Sequence, residues 1–366
     1  MQDTPAPFSV TLPPSHVAPQ HGPRPLPLFL AILWRETQGD PGFRKRAFAG
    51  LRRFQTVARQ TPANVKRCIA EQGRAKLLQI EAVSPVRQRG RPVIFIPSLI
   101  NPPDVLDLAP DNSLLRFLAS QGHEVYQIDW GTPGPADRDQ DVAAHVTELL
   151  LPLVERFSDG PVFVGYCLGG TMAIAAASLM SCGALATIAA PWYFDAYPEE
   201  FRTQTTTTWQ ANQSACDRLG LMPMEVLQGG FWSLDPRRTI AKYADFADLS
   251  QDDPKFQSFL LLEDWVNEGA PLTYAAGHEL IEQFYGANFP GNGRWRVGGR
   301  IIDPGALSCP SLAIASTTDR LVPYGATPPA TEGLSLDLGH VGMVVGRAAP
   351  DRLWKPLSAW LSEQGA

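Results

Sequence analysis

Val164-Gly165-Tyr166-Cys167-Leu168-Gly169-Gly170-Thr171 is the stretch on which the fold turns. It follows Pro161-Val162-Phe163, an apolar run suited to a buried parallel strand, and it opens a run of small residues, 170–180, that reads as a helix. The pattern is Gly-x-Cys-x-Gly at a strand-to-helix turn, a nucleophile elbow with cysteine in the usual place of serine. So tight a turn holds the nucleophile at strained backbone angles and requires small residues two positions to either side. Gly165 and Gly169 meet that need, and Gly170 lets the helix lie close on the sheet. The helix N-terminus also directs partial positive charge at the sulfur. A short glycine pattern recurs by chance. The strand–turn–helix setting and suitable partners downstream give this one its weight.

Outward from the elbow, strands alternate with helices. Residues 77–83, 91–97, 124–130 and 184–190 read as further strands, and 113–120 and 142–157 as helices, the latter despite Pro152. This alternation predicts an α/β fold with a mainly parallel sheet. It stops at Pro191. Residues 192–300 are irregular and rich in aromatics, including Trp192, Trp209, Trp232, Trp265 and Trp295, and resume as strands at 311–316 and 334–338 and a helix at 351–362. The simplest organisation is a core of residues 77–191 and 301–366 with an insertion, 192–300, after its sixth strand. The insertion should emerge beside the elbow and form a mostly helical cap over Cys167. Residues 1–27 hold eight prolines and read as an extended or disordered tail. Residues 28–76 read as a helical segment, strongly basic from 43 onward, with ten Lys or Arg against the single acid Glu71. Such a charge run is ordinarily a solvated helix face; the sharper reading is a contact for an anionic partner.

A cysteine nucleophile on this scaffold needs an acid and then a base, each following a late strand. Asp319 follows Leu312-Ala313-Ile314-Ala315-Ser316, and His340 lies between glycines after Leu334-Ser335-Leu336-Asp337-Leu338. One oxyanion donor should be the backbone N–H of Leu168. The second should come from Ser98-Leu99-Ile100-Asn101, with Ile100 favoured and Asn101 next. The other histidines read as bystanders: His16 and His21 in the tail, His123 at a strand start, His145 on a helix surface, and His278 in the insertion as a structural residue.

Composition bounds the rest. The 366 residues are 44% hydrophobic, which excludes a mainly disordered chain, and the net charge of −6 makes a poor general nucleic-acid binder. Five widely spaced cysteines without a C-x-x-C argue against a disulfide framework or a cysteine-based metal site, and suggest reduced thiols and a cytoplasmic location. The early run 26–34 is too short to span a bilayer, and the first 20 residues lack the cationic start of a secretion signal.

Several stretches together resemble the polyhydroxyalkanoate synthases. Gly165-Tyr166-Cys167-Leu168-Gly169-Gly170-Thr171 is similar to their cysteine box. Ile100-Asn101-Pro102-Pro103, residues 106–114, Gln121-Gly122-His123-Glu124-Val125-Tyr126 and Asp129-Trp130-Gly131 resemble their long motif after the third strand. Asp319-Arg320-Leu321-Val322-Pro323 and Gly339-His340-Val341-Gly342 resemble their acid and histidine loops, and Phe284-Tyr285-Gly286-Ala287-Asn288 and Val297-Gly298-Gly299-Arg300 their cap. The resemblance implies an α/β-hydrolase fold and the short, class III type, which works with a second subunit; a homodimer is the other possibility. It implies Cys167 as acylated nucleophile, His340 as base and Asp319 as its support. The implied reaction carries 3-hydroxyacyl groups from coenzyme A thioesters to a growing polyester, at a granule surface, with no resident cofactor and no metal. The same residues also suit a cysteine-dependent hydrolase of thioesters, lactones or polyester. A catalytically silent granule-surface protein is a third reading, against which the three residues themselves argue.

Overall fold

A computed structural model describes residues 22–59, 66–81 and 90–366. The expectations for residues 1–21, His16 and His21 included, and for a strand reaching Val83 fall outside the described residues.

Among these residues eight strands form one sheet: β1 Arg67–Gln72, β2 Ala75–Gln79, β3 Val93–Ile96, β4 Val125–Asp129, β5 Val162–Tyr166, β6 Ala184–Ile188, β7 Ser311–Ser316 and β8 Glu332–Leu336. Their order is β1-β2-β4-β3-β5-β6-β7-β8. The β1–β2 and β2–β4 pairs are antiparallel and the remaining pairs parallel. The central strands are covered on both faces, as their unbroken Val/Ile/Phe runs require. Ile94, Ile96 and Phe163 join one apolar cluster with the elbow helix and residues 142–154. Val93, Phe95, Val162 and Val164 join the other, with Leu114–Ser120 and the C-terminal helix Lys355–Glu363. In-register parallel pairing aligns Ile96 with Gly165, Tyr166 with Ile188, and Ser316 with Leu336. The loops that follow β3, β5, β7 and β8 therefore leave the same edge of the sheet.

Residues 192–300 carry the helices Glu199–Leu219, Met224–Ser233, Pro236–Asp248 and Pro254–Asn267, then Tyr274–His278 running into a π-helical turn, Glu279–Gly286. All five of the insertion's tryptophans are buried.

The expectation of a helical segment over 28–76 needs correction. Helices cover Leu26–Glu36, which begins two residues inside the stretch read as tail, and Pro41–Thr56, but Arg67–Gln79 is a hairpin at the sheet edge. An edge strand faces water and tolerates charge, so β1 shows no apolar alternation from which to read it. Part of the basic charge is paired within the protein, while Lys45, Arg46, Arg52, Arg67 and Lys76 are exposed, as a solvated face requires. Arg53 donates to the carbonyls of Phe246, Ala247 and Leu249 at the end of a cap helix, where a cation is favoured. Arg59 forms a two-pronged pair with Asp264 at 2.6 and 2.9 Å. Lys66 lies 3.4 Å from both Asp104 and Asp107, and Arg44 lies over the Trp34 ring. The two helices belong to the cap: Phe29, Leu33, Phe43 and Phe54 pack with Tyr243, Phe246 and Phe256. Burying each such ring contributes roughly 2–3 kcal/mol, against about 0–1 kcal/mol for an exposed ion pair, so apolar contact holds this layer. A Cβ at Gly50 would overlap the Tyr243 carbonyl, so Pro41–Thr56 crosses Pro236–Asp248 with the backbones almost touching.

His145 also differs from expectation. It is buried, not on a helix surface; its ring meets Trp130 edge-on and lies 2.6 Å from an Arg74 nitrogen. Burial, with the nearby Arg74 charge, depresses its pKa to about 4 despite its bond to the Asp141 carbonyl, so it is neutral at pH 7.

Candidate active site

The turn after β5 shows why its glycines are needed. Cys167 has φ 55° and ψ −131°, outside the favoured regions for a side-chain-bearing residue, and caps the helix Leu168–Leu179. Its N–H donates to the Ile188 carbonyl at 2.9 Å and its carbonyl accepts from the Gly170 N–H at 2.8 Å, which fixes the strained residue from both sides. A Cβ on Gly165 would come within 2.7 Å of the Gly170 nitrogen, and one on Gly169 within 2.5 Å of the Pro97 carbonyl oxygen; one on Gly170 would overlap Ala190.

Asp319 follows β7 and His340 follows β8. The Asp319 Oδ1 accepts the N–H groups of Leu321 and Val322 at 2.8 and 3.1 Å, which leaves Oδ2 to bond His340 Nδ1 at 2.7 Å. Both residues are buried. Tyr166, one residue before the nucleophile, lies under the imidazole with ring centroids 5.1 Å apart and donates to the His340 carbonyl at 3.3 Å. Cys167 lines the same cavity as the imidazole. Burial alone would lower the His340 pKa; the negative charges of Cys167 and Asp319 and their hydrogen bonds outweigh it and raise it to about 10. An imidazolium is thus the favoured state at neutral pH. The structure brings Cys167, His340 and Asp319 together from three separate loops.

The oxyanion donors fare differently. Leu168 is the first residue of its helix, where backbone N–H groups lack partners within the helix. Ile100 lines the cavity, but its N–H donates to the Ser98 hydroxyl at 3.0 Å and is committed there. A serine two positions upstream capturing a backbone N–H is ordinary turn chemistry, so the preference for Ile100 as second donor is corrected on that ground. Asn101 lies in the left-handed region (φ 68°) and its side-chain amide donates to the Val266 carbonyl at 3.1 Å, tying this loop to the cap.

A cavity of about 530 Å³ opens over the sulfur, between the sheet edge and the cap. Phe194, Tyr197, Phe231, Trp232, Trp265 and Tyr285 supply aromatic wall, while Asp235, Arg238, Lys242, Glu263 and Arg320 supply charge. Arg320 pairs with Asp235, which joins the acid loop to the cap. Sequence reasoning assigned no role to Tyr197, although Tyr285 stood within one of the quoted cap stretches; neither belongs to a motif with an obvious chemical reading.

The remaining histidines are structural. His123 bonds the Ala366 carbonyl and the Ser358 hydroxyl, both at 3.0 Å, and burial lowers its pKa. His278 pairs with Glu282 at 3.2 Å and its ring lies against Trp209. Among the described residues no group of three or more His, Cys, Asp or Glu is placed to hold a metal ion, and no helix is long and apolar enough to cross a membrane.

Known proteins place this arrangement in context. The chain is 27% identical over 339 residues to the poly(3-hydroxyalkanoate) polymerase subunit PhaC of Haloferax mediterranei, spanning 87% of this chain and 68% of that one. It is 29% identical over 295 residues to the same-named subunit of Allochromatium vinosum, spanning 75% and 81%. The fold is similar to that of a bromoperoxidase from Bacillus anthracis, with a TM-score of 0.50, 14% identity, and coverage of 81% of this chain and 100% of the other. Residues 93–354, from the first central strand to the last helical segment, match the alpha/beta hydrolase family, and the chain belongs to it.

Proposed function

We propose that this protein transfers 3-hydroxyacyl groups from coenzyme A thioesters to a growing polyester, with Cys167 as the acylated nucleophile, His340 as acid and base, and Asp319 as the support of His340. The observation that carries the reading is the 2.7 Å His340–Asp319 bond beside an elbow cysteine, under an aromatic cap, in a chain similar to PhaC polymerase subunits. The chemistry suits cysteine. Attack of the sulfur on the thioester carbonyl exchanges one thioester for another at little free-energy cost, and the His340 imidazolium supplies the proton that the departing coenzyme A sulfur takes up. A chain-end or primer hydroxyl then attacks the acylated Cys167 while His340, now neutral, accepts its proton. Asp319 keeps the ring oriented through both steps. The apolar wall of the cavity disfavours water, whose attack would release free acid instead.

Release of free coenzyme A from 3-hydroxybutyryl-CoA, followed with a thiol reagent, tests the nucleophile. Cys167→Ala should lower it by several orders of magnitude while leaving the unfolding midpoint nearly unchanged. Undiminished release from the Ala variant would move the chemistry away from this site.

A further inference from the structure

Acyl transfer at Cys167 needs more than one donor for the carbonyl oxygen that becomes an oxyanion. The Leu168 N–H is one; the Ile100 N–H is bonded to Ser98. Across the cavity, on the cap side, stand two buried tyrosines. Tyr197 and Tyr285 line the same space as Cys167, 4% and 9% exposed, with their rings packed edge to face at 5.0 Å. Their hydroxyls lie within reach of each other. Tyr285 lies on the π-helical turn Glu279–Gly286, and such turns re-aim side chains relative to a regular helix and recur at functional sites. Burial raises the pKa of the Tyr285 hydroxyl, as does the charge of Cys167, so it stays a neutral donor at working pH.

We propose that the Tyr285 hydroxyl, oriented by Tyr197, is the cap's hydrogen-bond donor to the carbonyl oxygen of an acyl group reacting at Cys167. This rests on the acyl-transfer reading above. When the Cys167 sulfur bonds to the carbonyl carbon, the C=O π pair moves onto oxygen, which is held by the Leu168 N–H and the Tyr285 O–H. Collapse of the adduct re-forms C=O and breaks the bond to the coenzyme A sulfur, which leaves with the proton from His340. Tyr285 donates a hydrogen bond throughout and transfers no proton. A donor carried by the cap couples closure of the cap to chemistry.

Rapid-mix mass spectrometry of the Cys167 peptide, with 3-hydroxybutyryl-CoA as probe, tests this. Tyr285→Phe should acylate roughly 100-fold more slowly than the wild type, with KM for coenzyme A release changed less than about threefold. Its affinity for a trifluoromethyl ketone, which forms a tetrahedral adduct on cysteine, should weaken by a similar factor, whereas affinity for coenzyme A itself should not move. A merely structural role would not separate these two affinities. Tyr197→Phe should slow acylation about tenfold, and decides the matter if the Tyr285 variant does not fold. Acylation of both variants within about threefold of a wild type that does acylate overturns this assignment alone. A wild type that is never acylated at Cys167 overturns the acyl-transfer reading and this assignment with it.

Discussion

At the scale of the residue, His340 is strongly altered by its surroundings. Its pKa rises from about 6.5 in an unfolded chain to about 10 in the folded protein, where burial is outweighed by the charges of Cys167 and Asp319. The folded state therefore binds the extra proton between those values, and stability falls with rising pH across that window. The contribution of His340 is fully present below about pH 6.5 and is lost as pH approaches 10, with an upper limit on the order of 5 kcal/mol. Urea unfolding of the wild type and of His340→Gln should show a stability difference that shrinks steadily between pH 6.5 and 10. A difference independent of pH in that range contradicts the charged pair. Cys167, Asp319 and His340 were each legible in the sequence because an elbow and two strand-end loops constrain residue type tightly. The commitment of Ile100 to Ser98 was not, since it depends on which way one hydroxyl turns. The burial of His145 was hidden for a related reason: the groups that enclose it, Trp130 just after β4 and Arg74 in the β1–β2 turn, are brought to it only by the fold.

At the scale of the element, the elbow works because a helix starts almost in contact with β3. Gly169 is the point of closest approach, and the obstruction is the backbone of Ile96 and Pro97, which cannot rotate away. Gly169→Ala should destabilise the protein by roughly 1–3 kcal/mol or more and impair activity by displacing Cys167. Gly333→Ala is the natural control, because nothing lies within 4 Å of a Cβ added there in β8. Thermal unfolding of the two variants checks this, and equal midpoints would count against a tight strand–helix contact. The buried strands could be read ahead of any structure for the same reason that they cannot vary: both faces are covered, so Val93–Ile96, Val162–Val164 and Ser311–Ser316 are continuous apolar or small runs. The β1–β2 hairpin escaped notice because its outer strand is exposed and charged. Of the basic run, Lys45, Arg46, Arg52 and Arg67 stay on a solvated face, whereas Arg53 caps a helix end and Arg59 pairs with Asp264, partners that only the folded chain brings near.

At the scale of the whole molecule, the cap and the N-terminal helices form one roof over the end of the sheet. Its inner wall is aromatic, and its ties to the core are both apolar and polar: Phe194, Leu280, Phe284 and Trp295 join the apolar cluster of the elbow helix, while Arg320 pairs with Asp235, Asn101 donates to the Val266 carbonyl, and Glu279 accepts from the N–H groups of Val142 and Ala143. The composition of residues 192–300 announced an insertion and its aromatic content, but not which rings would face Cys167. That selection is made by helix packing: Trp209 and Trp295 are turned toward Glu282 and Glu279, whereas Trp232 and Trp265 reach the cavity. The central claim is that this enclosed cysteine passes acyl groups to a hydroxyl in preference to water. The direct test is to supply the purified full-length protein, alone and with any partner encoded beside it, with 3-hydroxybutyryl-CoA, and to weigh the products. Insoluble polyester accumulating in step with coenzyme A release, with little free 3-hydroxybutyrate, is the predicted result. Free 3-hydroxybutyrate as the main product under both conditions would contradict the account and make the protein a thioesterase.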